Sequence, residues 1–187
     1  MQDDAQLIDA SLAGDSAAFG QLVVKYQDRL YNTTVHVIGS TEEAYDIVQD
    51  AFVQAFLKLD SFQRSSAFYT WLYRIALNLA ISRRRRQKAL VSVEQHRELT
   101  GEEPHAGHAD PSQRLEKLER AGQVQSALAL LSEEHRVVLV LREIDGFCYE
   151  SIAEMLDLPV GTVRSRLHRA RMQLREGLKE VLQEDLK

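Results

Sequence analysis

The sequence predicts an all-α protein of two small helical domains on either side of a flexible acidic linker. Three observations carry this. Apolar residues recur at helical spacing through most of the chain. The 187 residues hold only 9 glycines and 3 prolines, so few positions interrupt a helix. Residues 88–113 break the pattern with a polar, acidic tract that contains two of those prolines.

Leu22, Val23, Tyr26 and Leu30 form the first clear stripe, and Gly14-Asp15 precedes it as a start signal. Ala44, Ile47, Val48, Ala51, Phe52, Ala55, Phe56 and Leu59 form a longer one. Ser40 before it is an N-cap candidate, and Glu42-Glu43 suit the positive end of the helix dipole. A third helix is expected from about Ala67 to about Arg84, with Phe68, Leu72, Ala76 and Leu79 on one side. After the linker the spacing resumes at Leu115, Leu118, Val124, Leu128 and Leu131, then at Val137, Val138, Leu141 and Ile144. No alternating segment of useful length suggests a strand. The expected domains are 1–90 and 121–187, with 91–120 as linker.

Near the end of the chain, Tyr149–Leu156 reads as a short helix with Ile152, Ala153 and Leu156 inward. Asp157-Leu158-Pro159 is a tight turn, with Pro159 suited to the first turn of the next helix. From Val160 a long helix packs Val163, Leu167, Ala170, Leu174 and Leu178 on one side and holds Arg164, Ser165, His168 and Arg169 clear of it. Short helix, turn and a helix with one packed and one donor-rich face make a helix-turn-helix. Arginine grips guanine edges or phosphates, and serine and histidine read edges or position the backbone. The alternative from spacing alone is a solvated basic helix on an ordinary bundle.

Charge is distributed by segment. The net is −5, yet residues 61–93 carry 7 basic side chains and none acidic, while residues 1–60 carry 10 acidic and 3 basic. An acidic protein with a localised basic block fits one surface for a polyanion and another for a different partner. Within the block aromatics interleave with cations: Phe62, Arg64, Phe68, Tyr69, Trp71, Tyr73, Arg74 and Asn78, then Arg83-Arg84-Arg85-Arg86, and Arg74, Ile75 and Asn78 lie within about 60° of Trp71 round the helix. Stacking rings, an amide and backbone-gripping cations suit an unpaired strand better than a duplex. The competing reading makes the rings plain core and the arginines a solvated helix end. Asp46, Gln49, Asp50 and Val53 lie opposite the Ala44–Leu59 stripe, as solvated surface or as a dock for a basic partner.

These residues resemble the extracytoplasmic-function (ECF) sigma factors, the compact two-domain class of the sigma-70 family of bacterial RNA polymerase subunits. Tyr45-Asp46-Ile47-Val48-Gln49-Asp50-Ala51-Phe52 resembles the family's region 2.2, and Asp60-Ser61-Phe62 with residues 66–78 resembles regions 2.3 and 2.4. Residues 141–153 followed by 159–171 resemble region 4.2. The resemblance implies that Asp46, Gln49 and Asp50 dock on the clamp coiled coil of core polymerase. It implies that Phe62, Tyr73, Ile75 and Asn78 capture a base flipped from the −10 element. It further implies that Arg164, Ser165, His168 and Arg169 contact the −35 element, with Arg142 as a phosphate anchor. Polymerase, promoter DNA and an anti-sigma factor are the implied partners. Where the family often has Arg-Gly-Asp or Arg-Gly-Glu after the phenylalanine, this chain has Gln63-Arg64-Ser65-Ser66, which bears on loop conformation and −10 base preference.

Other classes fare worse. A helix-turn-helix repressor or activator acting without polymerase leaves the aromatic-basic helix unexplained. An enzyme would need a constellation that is not legible: no nucleophile–base set and no phosphate-binding glycine loop. His96, His105 and His108 with Glu102 and Glu103 lack metal-ligand spacing, so no metal and no cofactor are expected. The lone cysteine, Cys148, excludes an internal disulfide framework. No apolar run approaches the roughly 20 residues of a bilayer span, and the acidic start lacks a signal-peptide pattern. A cytoplasmic location is expected.

Overall fold

In the computed structural model the described residues are 3–91 and 122–184. All of their regular structure is helical. The N-terminal domain comprises α1 (Asp4–Leu12), α2 (Ser16–Ile38), α3 (Thr41–Leu57), a 3₁₀ turn (Leu59–Ser61) and α4 (Phe68–Val91). The C-terminal domain comprises α5 (residues 122–129), α6 (Glu133–Leu139), a π-helical turn (Val140–Ile144), α7 (Tyr149–Leu156) and α8 (Val160–Glu184). Most of the expected linker, Leu115, Leu118 and the histidines of the tether lie outside the described residues.

The start and stop signals act as their chemistry requires. Asp15 accepts from the Ala17 amide at 2.9 Å and Ser40 from the Glu43 amide at 3.3 Å, each satisfying a donor that the first helical turn leaves open. α2 ends at Gly39, whose φ of +89° turns the chain sharply enough for α3 to fold back antiparallel. Leu22, Leu30, Ile47, Ala51 and Ala55 are fully enclosed between α2 and α3. Phe56 departs from its expected inward place: it is 47% exposed and meets Phe19 edge-on at 5.0 Å. It sits on the last turn of α3, where the helix has run past the partner that would cover it.

In the C-terminal domain α7 has the expected limits. Asp157 supplies the left-handed residue of the turn (φ +54°), and the Leu158 amide donates back to the Ala153 carbonyl at 2.9 Å. Pro159 stands one residue outside α8, its carbonyl accepting from the amides of Thr162 and Val163. Val163, Leu167 and Ala170 are buried, as the stripe requires. Ile144 and Val124, placed on stripes by spacing, are 46% and 41% exposed, because the π turn rotates Ile144 off the packed side and α5 is covered only at Ala127 and Leu128.

The two domains pack directly on each other. α7 lies against α4, and the π turn lies against α2. Arg136, only 2% exposed, donates to the Val37 carbonyl across the boundary at 3.2 Å and to Ala129 and Leu131 within its own domain. Arg84 of α4 donates to the same Val37 carbonyl at 3.0 Å. Burial, with Arg84 close by, lowers the Arg136 pKa to about 10.

Candidate nucleic-acid interface

On α8 the residues expected to read duplex DNA share one open face. Arg164, Ser165, His168 and Arg169 are all exposed, while Val163 and Leu167 anchor the opposite side. Ser165 Oγ donates to the Thr162 carbonyl at 3.0 Å, leaving its lone pairs outward. Neighbouring arginines are tied down: Arg166 pairs with Glu134 at 2.8 Å and Arg171 with Glu143 at 2.6 Å. Those exposed pairs add little to the seating of α8, which rests on the buried Val163, Leu167 and Ala170. Arg142 is half-buried, donates to the Phe147 carbonyl at 2.8 Å and lies over the Tyr149 ring at 5.2 Å.

The aromatic block forms a cleft at the start of α4. Phe62 and Trp71 lie with centroids 5.1 Å apart, and Phe68 closes behind both at 5.8 and 5.9 Å. Beside them is a cavity of about 180 Å³ whose wall includes Gln63, Ser65, Ser66, Thr70 and Arg74. One apolar side with a rim of amide, hydroxyl and guanidinium groups is what a planar heteroaromatic ring needs: a surface to stack on and partners for its edge. Half-buried Ile75 and exposed Asn78 lie further along α4.

Three residues of this set have other places. Tyr73 is 0% exposed, its ring covered by Phe147 edge-on at 5.1 Å and its hydroxyl 3.3 Å from Thr33. Burial, with Asp145 nearby, pushes its hydroxyl pKa up. Arg84 is committed to the Val37 carbonyl. Arg83 reaches Asp46 at 3.3 Å and Asp50 at 3.1 Å, so it faces the acidic strip of α3.

Gln49 and Val53, the neighbours of those two carboxylates on α3, border a groove between α2 and α3 of about 610 Å³. Exposed Gln49 and Val53 line it, together with Asp28 and Tyr31 of α2 and Tyr45 of α3. Sequence reasoning found the α3 half and missed the α2 half. A signal existed in Val23 and Tyr31, which half-face the groove, but one helix's periodicity does not tell which two helices will form a trough.

The loop entering the cleft is also settled. Arg64 has φ +55°, in the left-handed region, and forms an ion pair with Asp9 of α1. It occupies the position at which the resembled motif places glycine, so the backbone turn is kept without the glycine.

Two family models match the chain: Sigma-70 region 2 over residues 22–90 and Sigma-70, region 4 over residues 121–174. The RNA polymerase sigma-H factor of Pseudomonas aeruginosa is 37% identical over 98% of this chain and 97% of its own length. The ECF RNA polymerase sigma factor SigW of Bacillus subtilis is 36% identical over 90% of this chain and 92% of its own. The chain belongs to the ECF sigma factors. The ECF RNA polymerase sigma-E factor of Escherichia coli is 38% identical over 90% of each. Among solved structures, CnrH in complex with the cytosolic domain of CnrY matches with a TM-score of 0.70 and 30% identity, over 95% of this chain and 97% of that one. The sigma factor RpoE in complex with the anti-sigma factor NepR from Bartonella quintana matches at 0.69 and 27%, over 86% and 96%. In this sigma factor the region 4 match contains α7 and the part of α8 up to residue 174, and the region 2 match contains the Phe62–Trp71 cleft and the groove.

Proposed function

We propose that this sigma factor joins core RNA polymerase, sets its C-terminal domain on duplex −35 DNA, and captures an unstacked −10 base in its N-terminal domain. The observation that carries this is the presence in one chain of two different nucleic-acid chemistries. An exposed arginine-rich face on α8 suits a major groove, and a ring-walled, polar-rimmed cavity suits a single base. A simple duplex reader has no use for the second.

Residues 1–90 take polymerase docking and the −10 element, and residues 121–187 take the −35 element. Arg164, Ser165, His168 and Arg169 contact −35 DNA, with Arg142 at a phosphate. Phe62, Trp71, Arg74, Ile75 and Asn78 serve the −10 base. Asp46, Gln49, Asp50 and Val53 bear on polymerase, and the open groove beside them offers an apolar floor to a helix that brings cations. Arg83, bridging Asp46 and Asp50, must give way to such a cation. The chain acts by binding and catalyses no reaction of its own. No helix among the described residues is long and apolar enough to cross a membrane, and the setting proposed is the cytoplasm. An anti-sigma factor is the proposed inhibitor.

Base capture has to offset unstacking, which costs a few kcal/mol, and docking both domains on one polymerase supplies the effective concentration for it. Transcription by core polymerase plus this protein on a genomic library tests the reading. Discrete starts that share two upstream elements are expected. Absence of starts, with tight duplex binding by the protein alone, would select a repressor or activator instead.

A further inference from the structure

Tyrosine aside, five polar residues are buried among the described residues, and four of them have an evident reason to be. Ser11, Thr33 and Thr34 each donate to the carbonyl four residues back, at 2.7, 2.9 and 2.7 Å. Arg136 donates to three carbonyls. The fifth is Thr70, 3% exposed, whose hydroxyl meets no partner among the described residues. A buried polar group left unbonded calls for an explanation.

Its place in the helix supplies the first part. Inside a helix, a threonine hydroxyl turns back on the carbonyl of residue i−4. Thr70 stands in the first turn of α4, which begins at Phe68, so that carbonyl belongs to Ser66 in the entering loop, and no such bond forms. The Thr70 amide is satisfied separately, by the Ala67 carbonyl at 3.0 Å. The hydroxyl is not sealed either. The sealed side-chain atoms without a partner are Gln125 Nε2 and Arg136 Nε, and Thr70 Oγ1 is not among them. What Thr70 leaves open lines the cavity of about 180 Å³ beside Trp71.

The other polar groups of that wall differ in one respect. Ser61, Gln63, Ser65 and Arg74 are exposed, so water meets them whichever base is bound. Little water reaches Thr70, and a hydroxyl that both donates and accepts gains a bond there only from a ligand edge that faces it. An enclosed group of this kind discriminates more than an exposed one, because a mismatched ligand leaves it unpaired.

We propose that Thr70 is a specificity-determining residue for the captured −10 base, its hydroxyl bonding the edge of a base that stacks against Phe62 and Trp71. A base whose edge does not meet the hydroxyl is disfavoured. The inference rests on the reading of the Trp71 cavity as the base site.

The test uses the full chain with core polymerase, on a promoter from the genomic library in versions carrying each of the four bases at every −10 position. Wild type, Thr70→Val and Thr70→Ser are compared for transcript yield, and the free proteins are melted alongside. Valine keeps the shape and removes the hydroxyl. Because that hydroxyl has no partner in the free protein, Thr70→Val should melt no more than about 2 °C below wild type. At one −10 position the preference of wild type for its best base over its worst should fall about three- to tenfold with valine and return with serine. An unchanged ranking, or a uniform loss of yield with the ranking kept, would overturn the role of Thr70. A larger fall in Tm would do the same, since it would mean that the hydroxyl is bonded within the protein. If wild type ranks no −10 base, or if the ranking survives Trp71→Leu, the cavity is not the base site and the underlying reading fails instead.

Discussion

Arg64 holds the left-handed conformation, φ +55°, in the loop that leads into the Phe62–Trp71 cleft, and its guanidinium pairs with Asp9 of α1. The pair ties the first helix of the protein to the loop that carries Gln63 and Ser65, two polar members of the cavity wall. Left-handed backbone is costly for a residue with a Cβ, and a solvent-exposed ion pair offsets little. Arg64→Gly is therefore expected to keep the fold and raise Tm by about 1–3 °C in a thermal melt. Asp9→Asn should leave Tm within about 2 °C, while loosening the loop enough to weaken discrimination among −10 bases in transcription assays.

Arg136 is the buried cation of the domain boundary. Replacing it with leucine leaves the carbonyls of Val37, Ala129 and Leu131 short of a donor each, although Val37 retains Arg84. A loss of about 2–4 kcal/mol in urea unfolding is expected, read as a lower midpoint. A change below about 1 kcal/mol would mean that water replaces the guanidinium.

Asp145 makes the seam sensitive to acid. Burial raises its pKa above the ordinary 3.8, outweighing the lowering by Thr33, Arg29 and His36. The protonated carboxyl is thus the better tolerated form in the docked state. Its contribution is fully present below the ordinary pKa and is lost as pH rises through the raised one. Wild-type stability relative to Asp145→Asn should rise as pH falls from about 7 to about 4 in paired urea titrations. A flat difference would place Asp145 in solvent.

The exposed and the tethered arginines of α8 should behave differently. Arg164→Ala and Arg169→Ala are each expected to lower −35-dependent transcription about tenfold or more and to spare polymerase binding. Arg171→Ala removes a surface pair with Glu143 and should change transcription less than about twofold. Equal losses at all three would point to a diffuse phosphate grip.

Reversing charge at Asp46 and Asp50 together should abolish co-purification with core polymerase while the far-ultraviolet circular dichroism stays unchanged. Both are exposed on α3, opposite its packed side, and their partner is the guanidinium of half-buried Arg83. A fold lost with the double variant would instead assign the Arg83 bridge a structural role.

The helices were legible because their causes are local. The α3 stripe apart from Phe56, the Ser40 cap and the Asp157-Leu158-Pro159 turn each depend on residues a few positions apart, and the structure bears them out. The donor face of α8 was legible for the same reason: fixing which side packs fixes which side stays open. Tyr73 and Arg83 show where this reasoning stops. Both lie on α4 among residues that face the cleft, yet one is sealed under Phe147 and the other reaches across to α3. Their surroundings come from other helices, which periodicity along α4 does not see.

The sequence by itself thus determined an all-α chain in two domains, the face that α8 leaves open, and the membership of a family that the comparisons established. Only the tertiary structure decided that the domains close on each other, that the groove beside Val53 has an α2 wall, and that Arg64 keeps a glycine's backbone. Helix formation and amphipathic sides come from interactions over three or four residues. Closure depends on whether Phe147 and Asp145 find Tyr69, Tyr73, Arg29 and Thr33, contacts between segments more than seventy residues apart. Such contacts are selected by shape and charge in three dimensions, and no one-dimensional pattern encodes them.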